Sequence, residues 1–70
     1  MKMTPVDSSN LSAVGYDETT KTMQVRFNSG GLYAYYNVPE KTYRDLMKAD
    51  SCGSYFNTFI KGMYGDAKIG

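Results

Sequence analysis

The sequence has no histidine, no tryptophan and a single cysteine, Cys52. Without histidine, the side chain that most often serves as general base near neutral pH is missing. A nucleophilic Cys52 would therefore lack its usual base, although a place near the start of the second helix could lower its pKa. One cysteine cannot close a disulfide within the chain, and there is no His/Cys cluster with metal-ligand spacing. The seven carboxylates are scattered, without the paired spacing of a hydrolase or a two-metal site. Catalytic residues, metal ligands and cofactors are all read as none. Apolar runs fall short of the ~18 residues that span a bilayer. The stretch Met1 to Val6 lacks the apolar core of a signal peptide. With the lone thiol, this predicts a cytoplasmic protein that makes no membrane contact. An excess of one charge is also missing: eight basic against seven acidic residues leave a net charge of +1, which excludes a polyanion-binding tail.

Seventy residues make one domain, residues 1–70, with no repeat or linker. A chain of this size buries only roughly 60% of the surface its unfolded form exposes. With neither disulfide nor metal available, self-association is the remaining source of extra stability.

The pattern predicts an α+β domain of order β-β-β-α-α, a three-stranded antiparallel meander followed by a two-helix hairpin packed on one face. Residues 4–10 read as a polar lead-in, and Leu11 to Tyr16 as the first strand. Thr22 to Asn28 alternates cleanly, with Met23, Val25 and Phe27 on one face and Gln24, Arg26 and Asn28 on the other. A hairpin turn at Asn28-Ser-Gly-Gly31 leads into an aromatic strand, Leu32 to Asn37. A two-residue loop would place Leu32, Ala34 and Tyr36 beside Val25. A three-residue loop ending on a left-handed Gly30 would place Tyr33 and Tyr35 there instead. The second geometry suits a type I turn followed by a glycine bulge, and it leaves Leu32, Ala34 and Tyr36 on an uncovered, semi-apolar face.

Pro39 suits the first position of a helix closing at Ala49-Asp50, with Tyr43, Leu46 and Met47 as its buried stripe. Ser51 reads as the N-cap of a second helix running to about Gly62. Its apolar side would carry Tyr55, Phe56, Phe59, Ile60 and Met63, and residues 64–70 read as a tail.

Seven tyrosines are the compositional signature. A tyrosine ring can stack on any base, worth roughly 1–3 kcal/mol. Tyr33, Tyr35 and Tyr36, with Tyr16 beside them, are the candidate stacking residues. Tyr33 and Tyr35 can equally be core residues of a thin domain. Arg26, mid-strand, needs a carboxylate or phosphate partner, and Lys61 reaches over the end of the second helix. Ser8 and Ser9 offer hydroxyls and turn amides suited to an anion, or simply a turn. Lys41, Arg44 and Lys48 share one helical stripe, which tracks phosphates or is the solvated face.

Several of these segments together resemble the KTSC domain. They are Val6-Asp-Ser-Ser-Asn10, Val14-Gly-Tyr-Asp17, Phe27 with Gly30, Tyr33-Ala-Tyr35, Val38-Pro39, and Ser51-Cys-Gly-Ser-Tyr-Phe-Asn57 leading to Ile60-Lys61. The likeness runs from about Val6 to Tyr64. It implies a non-catalytic module, found alone in small bacterial and phage proteins and at the C-terminus of some lysyl-tRNA synthetases, where RNA binding is its implied role. More loosely, the chain resembles phage immune-evasion proteins that sequester cyclic oligonucleotide signals, which would place it in a host cytoplasm. The expectation is a homo-oligomeric sponge holding a cyclic oligonucleotide through Ser8, Ser9, Tyr16, Arg26, Tyr33, Tyr35, Tyr36 and Lys61. RNA binding and plain protein interaction are the alternatives.

Overall fold

The structure is a computed structural model, and it describes residues 2–70. The chain runs β1 (Met3–Pro5), β2 (Leu11–Asp17), β3 (Thr22–Phe27), β4 (Leu32–Tyr35), α1 (Glu40–Lys48), α2 (Cys52–Phe59) and β5 (Asp66–Lys68). All five strands join one antiparallel sheet in sequence order. The α+β class is as expected, but the strand count is not. Four strands precede the helices rather than three, and a fifth follows them. Residues 4–10 are therefore not merely a lead-in, nor 64–70 a free tail. Both added strands are three residues long, too short to show alternation. Pro5 is tolerated because it sits on an edge strand.

The β3–β4 turn fixes which side chains face the helices. Asn28, Ser29 and Gly30 form a three-residue loop: the Phe27 amide donates to the Gly31 carbonyl, and the Gly30 amide to the Phe27 carbonyl, each at 2.9 Å. Gly30 takes φ +103°, where a side chain is strained. Val25 then pairs with Tyr33 and Met23 with Tyr35, so both tyrosines lie on the core face.

Two rows of side chains cross that face. One reads Val14, Val25, Tyr33, Lys68 and the other Tyr16, Met23, Tyr35, Asp66. Their central members are sealed under the helices by Leu46, Phe56 and Ile60. The opposite face is less open than its composition implies. Ala34 is buried, Leu32 is half-buried against Gly70, and Tyr36 alone of the three stays exposed.

Pro39 is the N-cap of α1 rather than its first residue. Two i,i+4 ion pairs, Glu40–Arg44 and Lys41–Asp45, line the outer side of α1. α2 opens as expected, with the Ser51 hydroxyl accepting from the Ser54 amide at 3.2 Å. It buries Cys52, Phe56 and Ile60, whereas Phe59 and Met63 are exposed. Phe59 lies within α2 but on its open side, with its ring against Tyr55 (4.7 Å between centroids), and Met63 lies beyond the helix, where the chain turns away at Gly62 with φ +79°. The Cys52 thiol is buried and donates to the Leu46 carbonyl at 3.4 Å. No helix among the described residues is long and apolar enough to cross a membrane.

Candidate functional site

Where the core rows run out at β4 and β5, the C-terminal turn of α2 does not fully cover the sheet. An open cleft of about 420 Å³ remains. Its floor is aromatic: Phe27 meets Tyr33 edge-on (5.4 Å between centroids) and Phe56 at 5.5 Å, and Phe56 meets Tyr35 edge-on at 5.4 Å. This chain of edge-to-face contacts sets the four rings in fixed relation. The rim is polar and comes from separate elements. Asn10 and Ser29 contribute from the two loops, Asn57 from α2, Lys61 from the turn beyond it, and Asp66 from β5. Lys68 is the cross-strand partner of Tyr33 on this same face.

The two tyrosines present different parts of themselves. Tyr33 is half-buried and keeps ring surface toward the cleft. Tyr35 is 4% exposed, and its ring is packed into the core. Its hydroxyl donates to no protein group among the described residues and is not sealed from solvent. Burial, with the Asp66 carboxylate and Tyr33 adding to it, pushes that hydroxyl up to about 12. It is therefore a neutral donor at physiological pH.

Of the residues singled out from the sequence, Tyr33, Tyr35 and Lys61 come together here. Tyr16 does not. It stacks on Tyr43 (4.9 Å, 11° between planes), donates to the Val38 carbonyl, and lines a second cleft with Asp17, Glu18, Thr19 and Glu40. Burial first, then Glu40, Glu18 and Asp17, raise its pKa. Arg26 and Tyr36 are exposed on the opposite face of the sheet, and Arg26 makes no ion pair among the described residues.

Ser8 turns inward on its own loop, accepting from the amides of Asn10 (3.2 Å) and Leu11 (3.3 Å), while Ser9 is exposed. The Ser8 hydroxyl also lies against Gly53, where an added Cβ would come within 3.1 Å of it. The serine motif thus docks the β1–β2 loop on α2. Lys41 and Arg44, from the basic stripe, are paired with Asp45 and Glu40. Among the described residues, no group of three or more His, Cys, Asp or Glu side chains is placed to hold a metal.

Sequence reasoning grouped Asn10 with Ser8 and Ser9 as anion donors, and it missed Ser29, Asn57 and Asp66. Asn57 reads as a helix-surface residue. Asp66 was hidden because β5 itself has no periodic signal.

Comparison with known proteins bears on the whole chain. The family model of the KTSC domain matches residues 7–64. A protein of Tsukamurella paurometabola is 41% identical over 59 residues, 84% of this chain and 88% of its own length. The lysine–tRNA ligase of Nostoc punctiforme is 38% identical over 58 residues, 83% of this chain but 10% of the ligase. The crystal structure of a KTSC domain protein from Yersinia pestis superposes with a TM-score of 0.96 at 36% identity, covering 99% of this chain and 97% of that one.

Proposed function

The chain belongs to the KTSC domain family, and from that premise we propose that it is a non-catalytic nucleotide-binding module whose seat is the cleft between α2, β4 and β5. The observation that carries this reading is the convergence, around one opening, of the Tyr33 ring, the Tyr35 hydroxyl, the Lys61 ammonium and the Asn10 and Asn57 amides. An aromatic floor with a few convergent polar groups is the general form of a small-molecule site, and 420 Å³ falls within the usual range of such pockets. Tyr33 supplies a stacking surface and Lys61 a phosphate contact. The amides supply donors and acceptors for a base edge.

In the finer form of this reading the ligand is a cyclic oligonucleotide signal that the protein sequesters intact. With no histidine in the sequence and Asp66 as the single carboxylate lining the cleft, there is neither the usual general base nor a carboxylate pair to activate water on a phosphodiester. A two-fold pair of copies would match the symmetry of a cyclic dinucleotide. Arg26 and Tyr36, on the far face, do not reach a ligand held in that cleft. A second reading, RNA binding, draws on the match to a lysine–tRNA ligase. The near-neutral charge argues that any such contact is weak and salt-sensitive.

The test is calorimetric titration with cyclic di- and trinucleotides and a short RNA, followed by heat release and chromatography of whatever is bound. Stoichiometric binding with the ligand recovered intact supports sequestration. Hydrolysed product, or no binding to any nucleotide, overturns it. Tight RNA binding at physiological salt would put the second reading first.

A further inference from the structure

The cleft is electrically polarised, and its polarity bears on which base it takes. At one side stands Lys61, and on β5 stands Asp66, the direct cross-strand partner of Tyr35. Asp66 is exposed and makes no ion pair among the described residues, although Lys61 lines the same cleft. A free carboxylate repels phosphate. The Asp66 side therefore suits the uncharged part of a nucleotide, and the phosphate belongs with Lys61. Resting on the nucleotide-binding reading above, we propose that Tyr35 and Asp66 together select guanine.

The argument is one of donor and acceptor order. Asp66 offers two acceptor oxygens and no donor, and the adjacent Tyr35 hydroxyl has no protein partner and can donate. Read along the strand pair, the protein presents donor, acceptor, acceptor. The Watson–Crick edge of guanine is the complement: the O6 acceptor, then the N1–H and N2–H donors, the last two spaced to meet one carboxylate. Adenine sets the N1 lone pair against the carboxylate. Uracil offers one N–H between two carbonyls, and cytosine one amino group beside an acceptor nitrogen. Each of these leaves a desolvated group facing its own kind, which penalises the wrong base more than any lost contact.

The experiment compares GMP, AMP and XMP, with cyclic di-GMP and cyclic di-AMP as a second pair, on the wild-type chain and on Asp66→Asn. The amide replaces one acceptor by a donor, which suits the O2 carbonyl of xanthine where guanine carries its amino group. The wild type is expected to prefer guanine over adenine about tenfold or more, the usual worth of a bidentate base contact. Asp66→Asn should lose that preference and favour XMP over GMP. Asp66 is exposed, and the substitution is nearly isosteric, so a thermal melt should match the wild type. The wild-type ratio stands whatever the variant does. Equal binding of guanine and adenine nucleotides, a preference for adenine, or an unchanged preference in a folded Asp66→Asn overturns guanine selection and leaves nucleotide binding intact. Absence of binding to all five probes overturns both.

Discussion

Tyr16 and Tyr35 sit in one row across the same face of the sheet, two strands apart, yet they are put to opposite uses. Tyr16 is spent internally. Its ring lies flat on Tyr43, its hydroxyl is given to the Val38 carbonyl, and its open side looks onto Asp17, Glu18 and Glu40. Tyr35 is buried deeper, held edge-on by Phe56, but its hydroxyl is left without a protein partner beside Asp66 and Lys61. On the nucleotide-binding reading proposed above, depth of burial therefore does not mark the tyrosine that meets the ligand. What marks it is a polar tip with nothing assigned to it, in a cleft where a cation can balance an anionic ligand. The carboxylates around Tyr16 make its cleft hostile to phosphate.

The most severe way to break this contrast is to remove Phe56, the ring that joins the Tyr35 cleft to the core. Phe56→Ala should cost about 3–5 kcal/mol, which in a 70-residue domain removes most of the folded population. Denaturant unfolding would show it, and both clefts should be lost together. The paired substitutions Tyr35→Phe and Tyr16→Phe sharpen the comparison. Tyr35→Phe should leave unfolding nearly unchanged and weaken nucleotide affinity about tenfold. Tyr16→Phe should do the reverse, costing about 1 kcal/mol by orphaning the Val38 carbonyl while leaving affinity alone.

Alkaline pH gives a milder probe. The fold favours the neutral Tyr35 phenol, holding it near 12 against an ordinary 10.0. Its contribution to stability is thus complete below about pH 10 and drains away as the pH climbs toward 12. Thermal melts across that window should fall more steeply for the wild type than for Tyr35→Phe. Smallest of all is the surface pair on α1. Replacing Asp45 by Asn should leave the melting temperature within error, because Lys41 and Asp45 are both solvent-facing.

The central hairpin was legible because Asn28-Ser29 before Gly30 suits a three-residue loop better than the two-residue alternative, and that loop set the register placing Tyr33 and Tyr35 inward. The Ser51 cap was legible for the same kind of local reason. The outer strands were not. Met3–Pro5 and Asp66–Lys68 are strands only because neighbouring edges had unpaired backbone groups to satisfy, a tertiary cause with no local trace. With β5 went Asp66, and so half of the polarity of the cleft. Phe59 and Met63 fit a helical stripe by spacing, but Phe59 packs on Tyr55 at the open side of α2 and Met63 lies beyond its end. Tyr33, Tyr35 and Lys61 could be gathered from chemistry alone. Arg26 and Tyr36, chosen on the same grounds, are separated from them by the thickness of the sheet.

The brevity of β5 also divides β4 into two exchange classes. The amides of Leu32 and Tyr36 point outward to the carbonyls of Gly70 and Gly65, and by alternation that of Ala34 between them faces β5 as well. By the alternation of antiparallel backbone, those of Tyr33 and Tyr35 point inward to β3. A three-residue strand detaches far more often than the domain unfolds. Deuterium should therefore enter Leu32, Ala34 and Tyr36 by fraying of β5, and Tyr33 and Tyr35 only by global opening. A molecule gripping Asp66 from across the cleft would stitch that fraying border to α2, so protection gained at the outward backbone amides would report an occupant that touches none of them.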